Sequence, residues 1–318
     1  MVTVIIYPAA FAFAVAVVLG PATIGWLQRL RVGQYVRQDG PKTHLKKAGT
    51  PTMGGLLIIA GVVASTSAFA PDPGALWPLL LALVGYGAVG FMDDLSKLLA
   101  KRSLGLKARQ KLVLQFGLAI VIAFAALEHV GPYLRVPFVE GVWTLPAWLY
   151  LLLAVGTLVG TANAVNITDG LDGLAAGATA VAAMTMGVVA YVLGYPDVAV
   201  FAAAVGGACL GFAWFNAHPA QVIMGDTGAL ALGGALAAIA LFTGTPLFLV
   251  IVGGLFVVET LSVIIQVAYF RLTGGRRIFR MSPLHHHFEV SGWAEPQVVT
   301  RFWLLCLAFA AAGLLSLR

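Results

Sequence analysis

Residues 75–96 read ALWPLLLALVGYGAVGFMDDLS, eighteen residues without a charge followed by two adjacent carboxylates, Asp93 and Asp94. A helix over the apolar part covers about 27 Å at 1.5 Å per residue, close to the ~30 Å hydrocarbon core of a bilayer. The stretch therefore reads as a membrane span that ends in acid. Working outward, apolar stretches of similar length recur near residues 3–25, 52–70, 112–130, 146–162, 170–193, 198–215, 227–243, 247–270 and 300–317, which makes about ten transmembrane helices. The fold class is an all-α polytopic membrane protein, with 1–318 as a single integral membrane domain. Period-two alternation does not recur, which argues against an outer-membrane barrel.

Composition agrees. Of 318 residues, 60% are hydrophobic and 10% charged, with a mean hydropathy of +0.94. A soluble domain carries roughly 25% charged residues, so water-facing, disordered and collagen-like chains are excluded. Cys209 and Cys306 lie in apolar runs and offer neither a disulfide framework nor a Cys-based metal site. The first span lacks a preceding basic residue and an evident cleavage site, and reads as a retained helix rather than a signal peptide.

Net charge is +6, and its distribution is one-sided. Arg29 to Lys47, Lys97 to Lys111 and Arg271 to Arg301 hold seventeen of the nineteen basic residues, all in loops after odd-numbered spans. The positive-inside rule makes those loops cytoplasmic and puts both termini outside, so the basic excess calls for no nucleic acid. The opposite loops are tight turns, except for Glu128 to Pro146, whose alternating Tyr133, Val136, Phe138, Val142 and Trp143 suggest a short hairpin.

Polar residues gather on the basic side, so the expected active site faces the cytoplasm. Asp93 and Asp94 close the third span, Asp169 and Asp172 sit at the cytoplasmic edge between spans 5 and 6, and Asp226 opens the eighth. Carboxylates meeting at one depth repel unless a cation sits among them, and oxygen ligands without cysteine favour Mg²⁺ or Mn²⁺ over zinc. Adjacent helical residues point about 100° apart, so one of Asp93 and Asp94 has room to bind metal while the other handles a proton. Asn163, Asn166, Asp169 and Asp172 recur every three residues, and a continuous helical path stacks them on one face. Asn216-Ala-His218-Pro219 precedes Gly225-Asp226-Thr227-Gly228, which is also consistent with Asp226 as a helix cap. Pro283-Leu-His285-His286-His287-Phe-Glu289 lies in the long basic loop; three consecutive histidines in an extended segment do not all face one ion, and they suit phosphate contact better. Lys47, Lys97 and Lys111 supply further cations.

An acid cluster ready for Mg²⁺, with lysines and histidines at a membrane face, fits phosphoryl transfer. Neither a Walker-type phosphate loop nor a dinucleotide fingerprint is present. An ion-coupled transporter is the competing class, and it calls for charges near the midplane and an internal repeat. Only Glu259 is deep in a span, and its role is open.

Lys47-Ala-Gly-Thr-Pro-Thr52-Met-Gly-Gly55, Phe91-Met-Asp-Asp94 with Lys97, Asn163 to Gly173, Asn216-Ala-His-Pro219, Met224-Gly-Asp-Thr-Gly228 and Pro283 to Glu289, in this order, resemble the bacterial phospho-N-acetylmuramoyl-pentapeptide transferase family. The resemblance runs over nearly the whole chain. It implies a Mg²⁺-dependent homodimer of ten-helix subunits in the bacterial cytoplasmic (inner) membrane. It also implies attack of undecaprenyl phosphate, a membrane lipid, on the β-phosphorus of UDP-N-acetylmuramoyl-pentapeptide, with release of UMP. Asp226 would be the Mg²⁺ ligand, Asp93 the base or nucleophile, and Asp94 its essential neighbour. Asn166, Asp169 and Asp172 would line the nucleotide pocket, and Lys47, Thr52, Lys97 and Lys111 would contact phosphate or nucleotide. Gln266 with His285, His286 and His287 would hold the sugar-phosphate side, while Asn163 and Asn216 count among the substrate-binding positions. Ile223 stands where the family carries an aromatic residue suited to stacking on uracil, and Ala229 where serine is usual. A sister transferase using UDP-N-acetylglucosamine or another UDP-sugar is the nearest rival reading.

Overall fold

A computed structural model describes residues 2–30, 49–100 and 105–317. In chain order it contains α1 (Tyr7–Arg29), α2 (Gly55–Phe69), α3 (Trp77–Leu99), α4 (Ala108–His129), β1 (Tyr133–Arg135), β2 (Val142–Thr144), α5 (Ala147–Thr168) and α6 (Leu174–Val192). Then follow α7 (Pro196–Asn216), α8 (Gly225–Phe242), α9 (Pro246–Val252), α10 (Gly254–Leu272), α11 (Leu284–Val290) and α12 (Glu295–Leu315). Among the described residues nine helices are long and apolar enough to cross a membrane, and α2, with 15 residues, is a shorter apolar helix. The ten expected spans are thus all helical, and the protein is an all-α polytopic membrane protein.

The bundle is built around α7 and α8, each with 89% of its spanning window buried, against 28% for α1 and α10. Exposed Val18 and Leu19 on α1 and Leu261, Ile264 and Ile265 on α10 turn apolar surface outward, as a lipid-facing helix requires. Lipid tails are as apolar as leucine, so helices pack by close van der Waals approach and not by escape from water. The α8 sequence GDTGALALGGALAAIALF supplies that approach with small residues. A Cβ at Gly233 would lie 2.5 Å from Ala162 Cα on α5, and one at Gly234 2.9 Å from the Ala82 carbonyl oxygen on α3.

The short turns collect at one end. Asp72 N–H donates to Asp197 Oδ1 at 3.1 Å, Arg135 N–H to the Gly244 carbonyl at 2.8 Å, and Phe138 N–H to the Ser316 carbonyl at 2.9 Å. The expected hairpin is there too, antiparallel, with Leu134 opposite Trp143. The acid-bearing ends of α3 and α8 lie at the other end of the bundle.

Among the departures from the sequence reading are two interruptions of the helical path. The ninth span is not one helix: it breaks between α9 and α10 at Gly253, where a glycine pair offers little resistance to bending and Gly254 packs against the Phe309 ring. The sixth span starts at Leu174 and not at residue 170, because residues 169–173 form a turn that ends on Gly173 with φ +81°. Helical stacking therefore stops at Thr168, and the expected four-residue stripe does not form.

Candidate active site

Four helices deliver one charged cluster. Asp93, Asp94 and Lys97 come from the last turns of α3, Lys111 from the first turn of α4, Asn166 from the end of α5, and Asp226 from the start of α8. A Cβ on Gly90 would run into the Asp226 backbone, so this glycine lets α3 and α8 meet at the depth of the acids. Asp94 accepts from Thr227 N–H at 2.9 Å, Thr227 Oγ1 at 2.8 Å and Asp226 N–H at 3.3 Å. It thus caps, from a neighbouring helix, amide donors that the first turn of α8 cannot satisfy internally. Asp93 Oδ1 accepts the Leu106 N–H at 3.0 Å, and its Oδ2 pairs with Lys97 Nζ at 2.7 Å.

Asp226 is the most solvent-accessible acid of the three, with its side chain 18% exposed. Its Oδ1 accepts from Asn166 Nδ2 at 2.9 Å, while Oδ2 faces Lys111 Nζ at 2.7 Å and Lys97 Nζ at 3.0 Å. Lys97 also lies 3.4 Å from Asp94 Oδ1, so its ammonium touches all three carboxylates. Three formal negative charges against two positive leave an excess of one, inside a site where opposite charge is the cheapest remedy. One oxygen from each of Asp93, Asp94 and Asp226 lies within 4.8 Å of the others. An oxygen-only set of this kind suits a hard divalent cation, which typically keeps water and adds phosphate oxygens.

Segment 51–55 seals the flank. Ile223 N–H donates to the Pro51 carbonyl at 2.8 Å, and Gly54 and Gly55 N–H donate to the Ile223 and Met224 carbonyls at 2.9 and 3.0 Å. Ile223, half-buried, thus forms part of this wall. Gly225 has φ +73°, and a Cβ there would lie 2.6 Å from Asp94 Oδ2 and 2.8 Å from Thr52 Oγ1. Thr52 therefore lies beside the cluster. Lys47 lies outside the described residues.

Other expected residues take different places. Asn163 donates to Gln115 Oε1 at 2.7 Å and to the Val159 carbonyl at 2.8 Å, tying α5 to α4 beside the acids. Gln115, fully buried in an apolar span, was a signal the sequence offered and the reading missed. Asp169 caps the end of α5. Asp172, within the turn, faces a second group: its Oδ2 lies 3.0 Å from His218 Nδ1 and accepts the Ala220 N–H at 3.1 Å, while its own N–H donates to Glu295 Oε1 at 2.7 Å. Asn216 bridges the same region, accepting from Gly173 N–H at 3.0 Å and donating to the Val222 carbonyl at 2.8 Å.

The three histidines are not extended: they form the first turns of α11 and so diverge. His285 is fully buried beside Glu259 and Gly170. His286 Nδ1 pairs with Glu289 Oε2 at 2.8 Å, and His287 Nδ1 accepts the Arg280 N–H at 3.1 Å; both rings are partly exposed. Gln266 spends its amide on the loop before them, accepting from Ile278 and Phe279 N–H at 3.0 Å and donating to the Phe279 carbonyl at 2.9 Å.

The helices that carry this acid and lysine cluster fall largely in a recognised family: residues 76–244 match the model of glycosyl transferase family 4. Residues 47–59 match signature 1 of phospho-N-acetylmuramoyl-pentapeptide-transferase. Proteins of that name are 51% identical in Geobacillus kaustophilus, covering 98% of this chain and 97% of the relative, and 50% identical in Desulforamulus reducens, covering 99% and 96%. One from Desulfotalea psychrophila is 46% identical, covering 96% and 90%. The chain belongs to the phospho-N-acetylmuramoyl-pentapeptide-transferase family. This membership favours neither the ion-coupled transporter nor the sister transferase.

Proposed function

We propose that the protein transfers phospho-N-acetylmuramoyl-pentapeptide from its UDP derivative to undecaprenyl phosphate, making the first lipid-linked precursor of peptidoglycan. An oxygen of the lipid phosphate bonds to the β-phosphorus of the donor, and the bond from that phosphorus to the bridging oxygen breaks, so that UMP leaves with the electron pair. The observation that carries this reading is the convergence of Asp93, Asp94, Asp226, Lys97 and Lys111. Phosphoryl transfer demands positioning and charge neutralisation more than covalent chemistry, and these groups provide both. A bound Mg²⁺ would supply Lewis-acid neutralisation of the diphosphate, held chiefly by Asp226.

In this reading the three carboxylates would hold the cation, and Lys97 and Lys111, which now face them, would offer their ammonium groups to the phosphates. Asp93 serves the lipid phosphate as base, and Asp94 keeps the start of α8 in place. Thr52, Asn163, Asn166, Asp169, Asp172 and Asn216 shape the nucleotide end; His286 and His287, on the loop fixed by Gln266, reach the sugar side. The basic loops and the active site face the cytoplasm, both termini face outward, and the chain works as a homodimer in the inner membrane.

The test is UMP release by purified protein with undecaprenyl phosphate and either UDP-N-acetylmuramoyl-pentapeptide or UDP-N-acetylglucosamine. Release with the muramoyl donor alone is expected, and release with only the other would transfer the reading to the sister activity. Omitting the lipid decides between direct attack and an aspartyl-phosphate intermediate. Rapid stoichiometric UMP release with the sugar phosphate retained on protein would rule out direct attack.

A further inference from the structure

Glu259 is a carboxylate on a membrane-spanning helix, fully buried, and no step of the proposed transfer uses it. Ionisable side chains at this depth are costly and call for a specific partner. The partner here is His285, also fully buried. Glu259 Oε1 accepts the His285 main-chain N–H at 3.1 Å, satisfying a donor in the first turn of α11, and Oε2 lies 3.3 Å from the His285 Nδ1. The opposite edge of the imidazole presses on Gly170, where an added Cβ would overlap Nε2 and lie 2.9 Å from Cε1. Neither ring nitrogen nor Glu259 Oε2 has a well-aligned hydrogen-bond partner among the described residues, so the ring is fixed by its neighbours' positions and not by a network of its own.

The ring is therefore a wedge between two parts of the molecule distant in sequence. On one side is Gly170, in the turn bearing Asp169 and Asp172; on the other is Glu259 of α10, and the ring itself is carried by α11, the short helix bearing His286 and His287. We propose that Glu259 is a positioning residue which, through the buried imidazole of His285, sets the separation between the nucleotide end and the sugar end of the donor site. This rests on the transferase reading above. It also assigns His285 a different part from its two neighbours: a fully buried ring has no surface to offer a substrate, whereas His286 and His287 are partly exposed.

The test compares Glu259→Leu, which removes both contacts, Glu259→Gln, which keeps a carbonyl oxygen for the His285 N–H, and Gly170→Ala, which pushes the wedge from its other side. Full-length protein is assayed for kcat and for KM of the UDP donor, with thermal stability followed in parallel. Glu259→Leu and Gly170→Ala should each raise KM at least tenfold while kcat falls less than threefold. Glu259→Gln should return KM to within threefold of the unmodified protein. If Glu259→Leu does not fold, Gly170→Ala decides, since it leaves the carboxylate in place. An unchanged KM with lowered stability would overturn the proposal in favour of a purely structural pair, and a fall in kcat at constant KM would overturn it in favour of His285 acting on the reacting atoms. Absence of UMP release by the unmodified protein would sink the transferase reading itself, and this inference with it.

Discussion

Asp94 and Asp226 belong to one cluster and hold opposite assignments. Asp94 spends its oxygens on α8 amides and the Thr227 hydroxyl, whereas Asp226 directs both oxygens at groups that a cation and a phosphate would replace. Asp94→Asn should therefore act first on stability, at about 1 kcal/mol for a weakened cap, and leave Mn²⁺ affinity within a few-fold. Thermal melts and Mn²⁺ titration of the same sample check this, and loss of metal binding at unchanged stability would reverse the two roles. The acids were legible in the sequence because a carboxylate in an otherwise apolar chain needs a reason to be there. Their division of labour was not, because a cap made across helices joins residues 133 positions apart. Likewise the buried Gln115 gained meaning only from Asn163, 48 positions away.

At the scale of elements, the site depends on helices approaching more closely than side chains normally permit. Gly90→Val would place two methyl groups where the Asp226 backbone runs, so α8 must shift outward. Overpacking of this kind costs typically 1–3 kcal/mol, and turnover should fall by at least tenfold because Asp226 moves with its helix. Melting temperature and UMP release measure the two effects, and full activity in Gly90→Val would show that the close α3 and α8 contact is dispensable. The positions of the spans were legible from hydrophobic length, which the bilayer imposes. The break at Gly253 and the turn at 169–173 were not, since an apolar run carries no mark of where packing bends it. The three-residue spacing of Asn163, Asn166, Asp169 and Asp172 misled for the same reason: it presumes a helix that ends at Thr168.

For the whole molecule, the turns at 72, 197 and 244 and the hairpin occupy one end, and the acid cluster occupies the other. Charge distribution predicts which end faces the cytosol, where a nucleotide sugar is available. With Cys209 and Cys306 replaced, Glu140→Cys should react with an impermeant thiol reagent added to intact cells, and Arg276→Cys only after permeabilisation. The reverse pattern would overturn the orientation. The fold was legible at this scale because lipid constrains composition so strongly, while the pairing of helices was not, since it rests on glycines and alanines that any span tolerates.

The central claim is that the cluster around Asp226 is a metal-assisted phosphoryl-transfer centre, and its most direct measurement is UMP release against Mg²⁺ concentration in the unmodified protein and in Asp226→Asn. The amide keeps the shape of the side chain and removes the charge that faces Lys97, Lys111 and the cation. The expected result is release that EDTA abolishes and Mg²⁺ restores, with turnover in Asp226→Asn lower by orders of magnitude and its Mg²⁺ requirement shifted to higher concentration. Release that is indifferent to EDTA, or an Asp226→Asn variant with unmodified turnover and the same Mg²⁺ titration, would contradict the account.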